Sequence, residues 1–304
     1  MKNLEATSNI DMKKLRKYAP QDLPGRIVLF ILMWLVALTY IFMYVWLLFN
    51  SFRKSADFNI NTFDIFNFKQ FTGENWKHLF TTQIAGTARN PVYIYDTVVN
   101  TFVIVAIQIL LAITIPALTG YVVAKYRFKG KKFILNTSIF AIIVPTVGNL
   151  ATTYKLMQDT LHLTNSFLGI IVMGAGGFGF GFLLFRNFFA AIPWDYAESA
   201  FLDGASDLQV FLRIFYPQAL PLLVTIAITT FIGAWNDYMT AYIYLPERPT
   251  IALGVYQMFS KMENQLRIPV ALAGMAFMAT ISLVVYACFN KVIMNSVSAG
   301  GLKG

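Results

Sequence analysis

Cysteine occurs once in the chain, at position 288, and histidine only at positions 78 and 162. One thiol excludes an internal disulfide and leaves the redox compartment unmarked, and two histidines so far apart argue against a metal site. Charge is scarce as well: Asp, Glu, Lys and Arg make up 13% of the residues, about half the ~25% usual in soluble domains. With a mean hydropathy of +0.58, that scarcity excludes an ordinary water-soluble globule. No G-x-x-x-x-G-K-[ST] phosphate loop is present, so any ATP involved has to be bound by another chain. Internal repeats and low-complexity linkers are also lacking, which leaves one membrane unit.

Long charge-free runs are abundant. Six of them cover residues 27–49, 98–124, 133–154, 163–185, 214–236 and 268–290, each near the ~20 residues that a helix needs to cross the ~30 Å of a bilayer's hydrocarbon. An unpaired amide is costly in lipid, so all six are read as helices although Val, Ile and Phe would also suit a strand. The expected fold is an all-α membrane protein of six transmembrane helices with both termini on one side. Residues 1–26 form a polar, basic segment before the first span. That span is too long for a signal-peptide core and has no small-residue cleavage site after it, so it is expected to stay as an anchor.

Lys and Arg set the orientation. With the amino terminus in the cytoplasm, the inner segments hold fifteen basic against seven acidic residues, and the outer ones nine against eight. The block Lys125-Tyr126-Arg127-Phe128-Lys129-Gly130-Lys131-Lys132 is therefore read as a positive-inside turn and not as a nucleic-acid patch. Gly174-Ala175-Gly176-Gly177-Phe178-Gly179 fits the G-x-G-x-x-G pattern but lies within an apolar run, away from the strand and wet helix start that a dinucleotide site requires. Glycines there serve close helix approach, at Gly177 and Gly181, or loosen a helix that has to bend. The stretch of residues 71–80, with Trp76 and Lys77, is expected to be a short amphipathic helix at the outer interface.

Between the fourth and fifth runs the pattern breaks. Asp195, Glu198, Asp203 and Asp207 surround Gly204 in "IPWDYAESAFLDGASDLQVFLRIFYP". Pro193 suits the first turn of a helix that Asp203-Gly204 ends. A second helix opens on Ser206 with Gln209 as a capping box, and Leu208, Phe211, Leu212 and Phe215 form its apolar stripe. Pro217 closes it. The result is a helix-turn-helix over residues 193–217 on the cytoplasmic face. An elbow merely resting on anionic lipid should be basic; this one is acidic in its first half, so a cationic partner is expected.

The stretch resembles the "EAA" loop of ATP-binding-cassette importer permeases, whose pattern is E-A-A, three residues, G, nine residues, I-x-L-P. Glu198-Ser199-Ala200, Gly204, Ile214 and Pro217 stand at that spacing, with Ser199 replacing the first alanine and Tyr216 the leucine. Asp203-Gly204-Ala205 matches the D-G-A common in the carbohydrate branch. Trp235-Asn236-Asp237-Tyr238 looks like the family's W-N-D-[FY] signature in the fifth span. Ser298-Ala299-Gly300-Gly301-Leu302-Lys303-Gly304 is similar to the ending of permeases like the second maltose permease subunit. Ile281 departs from the proline common there, which puts a kink in the sixth span in doubt.

The resemblance implies that Glu198, Ser199, Ala200, Phe201, Asp203, Gly204, Ala205, Phe211, Ile214 and Pro217 couple the chain to an ATPase subunit. Glu198 would pair with a basic residue in that subunit's cleft. Burial of Phe201, Phe211 and Phe215 is expected to hold the joint, since an exposed ion pair contributes only about 0–1 kcal/mol. Gly300, Gly301, Lys303 and Gly304 would insert between the ATPase subunits as part of a cytoplasmic tail over residues 295–304, beyond a permease domain of residues 27–294. The outer loop of residues 246–267 would meet a binding protein, although by its residues alone it reads as a charged surface loop. For Trp235, Asn236, Asp237 and Tyr238 two readings stand open: an interfacial anchor with a solvated acid, or a polar rim on the substrate path. The implied partners are a second homologous permease, two ATPase subunits carrying ATP and Mg, an extracytoplasmic sugar-binding protein and membrane lipid, with no nucleic acid, no metal and no catalytic residue in this chain. The solute is expected to be a carbohydrate, an oligosaccharide above all. Rival readings are an importer of another polar solute, such as a polyol or glycerol phosphate, and a membrane enzyme acting on lipid-linked substrates.

Overall fold

Apolar segments have to satisfy their own amides, and this chain does so almost entirely with helices. The computed structural model describes residues 23–86, 90–143, 149–260 and 268–301. Helix α1 (Leu23–Ser51) is followed by α2 (Ser55–Ile60), α3 (Glu74–Thr81) and a short antiparallel hairpin of β1 (Ala85–Gly86) and β2 (Pro91–Val92), with Ala85 opposite Val92. Then come α4 (Ile94–Lys125), α5 (Lys131–Ile143), α6 (Asn149–Lys155), α7 (Phe167–Gly174) and α8 (Phe180–Ala191). The elbow contributes α9 (Asp195–Leu202), α10 (Asp207–Val210) and α11 (Tyr216–Gln218), and the chain ends with α12 (Leu220–Asn236), α13 (Met239–Tyr244), α14 (Ile251–Ser260) and α15 (Ile268–Gly301).

Among the described residues three helices are long and apolar enough to cross a membrane, at Pro24–Ser51, Ile94–Lys125 and Ile268–Lys291, and a pair bent by 74° forms a fourth candidate. The first, second and sixth expected spans are therefore continuous, and α15 passes through Ile281 without a break. The fourth and fifth are interrupted. Of the third, the described residues form α5 up to Ile143 and helix again from Asn149.

The fourth expected span, residues 163–185, is not one helix but two: α7 and α8 flank a break at residues 175–179, and α8 runs on to Ala191. The break holds three glycines, each less favourable in a helix than alanine by about 1 kcal/mol, and the Thr119 hydroxyl donates to the Gly177 carbonyl at 2.9 Å. In the fifth, the bend falls at Ala219 between Asp207–Gln218 and Leu220–Asn236. Pro217 and Pro221 each withdraw an amide donor there, while the Gln218 side chain donates to the Ile214 carbonyl at 2.9 Å.

Helix α4 is the spine. Its 32 residues extend ~48 Å, and it packs against α7, α8 and α12. Each end is set in its own core: Ile94 joins Leu79, Trp235, Ile251 and Val270 at one end, while Ala117 and Tyr121 join Phe185, Phe189 and Phe215 at the other. The closest approach to α8 is at Gly120, where a methyl group would lie 2.9 Å from both the Arg186 amide nitrogen and Phe185 Cβ. Gly177 is also tight, 2.8 Å from Ile115 Cγ2, and Gly181 meets Pro116 at an ordinary 3.6 Å, so both lie against α4 as expected, but Gly177 belongs to the break and not to the helix of Gly181. Gly120→Val is expected to cost about 1–3 kcal/mol, read as a lower melting temperature in detergent.

Helix α3 is the short amphipathic helix expected of residues 71–80, with Glu74, Lys77 and His78 exposed and its apolar side turned to the protein core. Its Leu79 is fully buried, Trp76 packs on the same core, and the helix lies against α15. It is anchored from the end of α1: the Trp76 indole donates to Ser51 Oγ at 3.1 Å, and Asn75 Nδ2 donates to the Ser51 and Arg53 carbonyls. Arg53 is itself fully buried. Its guanidinium donates to Asn50 Oδ1, Gln70 Oε1 and the Asp57 and Asn61 carbonyls at 2.6–3.2 Å. Losing a charged donor to several acceptors costs on the order of 3 kcal/mol, so Arg53→Met is expected to open residues 54–72 to limited proteolysis while the long helices persist.

Candidate functional site

The elbow turns where its sequence demands. Helix α9 starts at Asp195 with Trp194 as cap, two residues later than a first-turn Pro193 indicates. It ends in a paired-bond turn: Gly204 N donates to Phe201 O at 3.0 Å, and Ala205 N to Ala200 O at 2.9 Å. Gly204 has φ +82°, the left-handed conformation that this helix stop requires and that a side chain resists. A Cβ there would meet no atom within 4 Å, so the residue is open to an approaching surface. Ser206 then starts α10 through the expected reciprocal bonds with Gln209.

After Val210 the helix widens into a π-turn, Phe211–Phe215, closed by Tyr216 N donating to Phe211 O. The wider turn shifts the apolar register. Val210, Phe211 and Phe215 face inward, while Leu208 and Leu212 stay 61% and 50% exposed, so the expected stripe is split between two sides. Phe215 lies 5.0 Å from Tyr121 and 6.4 Å from both Phe189 and Trp194, and Phe211 lies 4.9 Å from Tyr121. Both rings are thus used inside the chain. They cannot supply the surface of a joint with another subunit, and the expectation is corrected for these two rings; Phe201 is half-buried.

Basic and polar groups at the ends of α4 and α5 lock this packing. The Lys125 ammonium donates to the Ile192 carbonyl just past α8 and sits 5.0 Å from the centre of the Phe215 ring. Lys131 donates to the Ala124 and Tyr126 carbonyls at 3.3 Å. Tyr126 donates to Asp207 Oδ1 at 2.5 Å. Burial first, and then that bond, push its phenol far above the ordinary tyrosine value, so it remains a donor at any physiological pH. Lys125 and Lys131 are helix-end fasteners as well as positive charges, a role that a count of basic residues does not reveal.

The elbow presents one side to the outside: Glu198, Ser199, Leu202, Asp203 and Gly204 are exposed, while Ala200, Phe201 and Ala205 lie half-buried against the core. Leu202 is 90% exposed and stands one helical turn after Glu198. Its signal was a large apolar residue placed directly before an Asp-Gly stop.

A groove of ≈ 620 Å³ runs between α4, the α7–α8 break and α12, with polar lining from Gln108, Thr225, Thr229, Thr230 and Thr240 and no charged side chain among the described residues that line it. The Thr229 hydroxyl donates to the Thr225 and Ile226 carbonyls at 3.0 Å, and that of Thr240 donates to Asp237 Oδ2. These two hydroxyls therefore meet the groove as acceptors.

Residues 112–294 match the model of the binding-protein-dependent transport system inner membrane component family. The chain belongs to that family. It is 26% identical over 278 residues to the probable ABC transporter permease protein YurM of Bacillus subtilis, covering 90% of this chain and 87% of that one. It is 32% identical over 208 residues to the maltodextrin transport system permease protein MdxG of the same organism, covering 67% and 74%. The crystal structure of a bacterial ABC transporter involved in the import of the acidic polysaccharide alginate contains a chain of the same fold, with a TM-score of 0.70 at 20% identity over 90% of this chain and 98% of that chain. Families of this kind are transport components and not enzymes.

In this permease the four residues of the W-N-D-Y stretch separate. Trp235 is fully buried, donates from its indole to the Met278 carbonyl at 3.2 Å and stacks on Phe231 at 5.6 Å. It is neither an interfacial anchor nor a ring open to solute. Asn236 donates to the Ile232 carbonyl, and Tyr238 stacks on Tyr256 at 4.6 Å. Asp237 accepts from the Thr240 amide at 3.1 Å and from its hydroxyl, and so reaches the groove only through Thr240. Gly300 and Gly301 end α15, which runs six residues past the expected start of the tail at 295. Lys303 and Gly304, like residues 261–267 of the outer loop and residues 1–22, lie outside the described residues.

Proposed function

We propose that this chain is one six-span permease subunit of an ATP-driven importer of neutral carbohydrate, with both termini cytoplasmic, paired with a second permease, two ATPase subunits that carry ATP and Mg, and an external binding protein. The observation that carries the reading is the elbow: Glu198, Leu202 and Gly204 stand exposed on a rigid turn whose other side is built into the core at the base of α4. A push on Leu202 is passed through Phe211 and Phe215 to Tyr121, and through the bend at Ala219 to α12. That helix forms one wall of the groove, so a movement of the elbow reshapes the space where a solute would sit.

Sugar as the solute is supported by the relatives' names, maltodextrin among them, and by the groove's uncharged lining. Threonine oxygens presented as acceptors suit hydroxyl donors, and none of the described lining residues supplies a cation to meet a phosphate. The groove thus favours an oligosaccharide or a polyol over glycerol phosphate. Thr229→Val is expected to remove about 0.5–1.5 kcal/mol for the one lost bond, a roughly twofold to twelvefold rise in the concentration for half-maximal uptake, with ATP hydrolysis retained. Uptake of labelled neutral and anionic solutes by the reconstituted transporter tests this: preference for an anionic solute contradicts the reading.

A further inference from the structure

The segment after α1 carries a surface that the transport reading leaves unused. The apolar stretch of α1 itself, residues 27–49, is ~34 Å long, about the thickness of a bilayer's hydrocarbon. With Arg26 at one boundary, Trp46 and Phe49 stand at the other. Residues 58–71 are fastened sideways to those two rings. Trp46 donates from its indole to the Thr62 carbonyl at 3.0 Å and packs on Phe58 and Phe63 at 6.3 and 6.5 Å, while Phe49 packs on Phe66, Phe68 and Phe71 at 5.7–6.2 Å. Outward, the same segment turns Ile60, Phe63, Phe66 and Phe68, exposed by 84, 71, 71 and 63%.

We propose that residues 58–68 form an aromatic foot seated in the headgroup–acyl boundary of the outer leaflet, with lipid as its occupant. Depth argues for this, because the foot is pinned level with the last two turns of α1. Continuity argues for it as well: every residue of α1 from 24 to 43 is exposed, on all sides of the helix, so the foot prolongs an apolar surface that no single neighbour covers. Its backbone suits a water-poor place. Phe63 N donates to Asn61 Oδ1, Ile65 N to Phe63 O and Phe68 N to Phe66 O, and buried Arg53 takes the Asp57 and Asn61 carbonyls, which lessens the segment's need for water at a boundary that still supplies some. Asn59, Asn61 and Lys69 alternate with the exposed rings, the mixture that such a boundary favours. Lys54 and Lys69 offset Asp57 and Asp64 in charge, so zwitterionic lipid suffices.

The inference rests on α1 being a membrane span, and the experiment separates the two. In a Cys288→Ser background, single cysteines Ile60→Cys and Phe63→Cys are labelled with bimane, and the whole transporter is reconstituted in phosphatidylcholine vesicles carrying a nitroxide at the headgroup, the fifth or the twelfth acyl carbon. Ile60 makes none of the ring contacts above, so its variant keeps the foot intact if Phe63→Cys loosens it. Leu38→Cys reports the middle of α1, and Lys77→Cys a watery site. The expected result is strongest quenching at positions 60 and 63 by the headgroup and fifth-carbon nitroxides, with aqueous iodide quenching at least about threefold weaker than at position 77. Iodide quenching equal to that at position 77 overturns the foot while a deep position 38 leaves the span standing. Shielding from iodide and nitroxides alike means that a protein covers the patch, which also overturns it. A shallow position 38 refutes the span and the foot together.

Discussion

Leu202→Asp is expected to reduce solute uptake and solute-stimulated ATP hydrolysis by at least about tenfold while leaving the chain folded in the membrane. The side chain is 90% exposed and joins no core cluster among the described residues, so its replacement takes little from the fold. At a joint with another subunit it would bury a leucine surface worth about 1.5–3 kcal/mol, and an aspartate in its place would add the cost of an unpaired charge. Every 1.4 kcal/mol is a factor of about ten in binding. Glu198→Ala at the neighbouring turn should act differently, impairing coupling more than assembly, because a partly exposed ion pair contributes only about 0–1 kcal/mol but fixes which way the joint seats. Co-purification of ATPase subunits with each variant, together with their hydrolysis rates, distinguishes the two. A Leu202→Asp transporter with normal uptake contradicts the assignment.

Phe215→Ala should produce the largest loss of stability, about 3–5 kcal/mol as for other buried phenylalanines. Its ring has no exposed surface and is held among Tyr121, Phe189, Trp194 and the Lys125 ammonium. The decisive sample is the isolated chain in detergent, without partners. If Phe215 belongs to the internal core, its melting temperature falls there; if the ring served a joint between subunits, the isolated chain would not notice. Leu212→Ala, on the exposed side of the same turn, is the control and should shift the melting temperature little.

The elbow was legible because its signals are local. An Asp-Gly stop, a Ser-to-Gln capping box and carboxylates in an apolar chain each dictate geometry within a few residues, and the structure has both the turn at Gly204 and the cap at Ser206. The side that its rings face was not legible. A stripe counted at 3.6 residues per turn groups Leu208 with Phe211, Leu212 and Phe215, but the π-turn and the prolines change the count and divide that group. Trp235 misled for a related reason. Its place near the end of an apolar run looked interfacial, yet a core assembled from α3, α14 and α15, distant in sequence, closes over it. Likewise the groove depends on a helix break at residues 175–179 meeting threonines of α12; glycine content announces a possible bend but not its neighbours. The role of Arg53 escaped because its acceptors are carbonyls and amides, which leave no charge pattern to read.

The most direct test of the coupling role is a thiol cross-link from position 202, the most exposed large apolar residue of the elbow, in a Cys288→Ser background and in native membranes. The account predicts an adduct with a nucleotide-hydrolysing subunit whose yield changes when Mg-ATP is added. Efficient labelling of position 202 by a soluble maleimide, with no such subunit captured under any nucleotide condition, would contradict it.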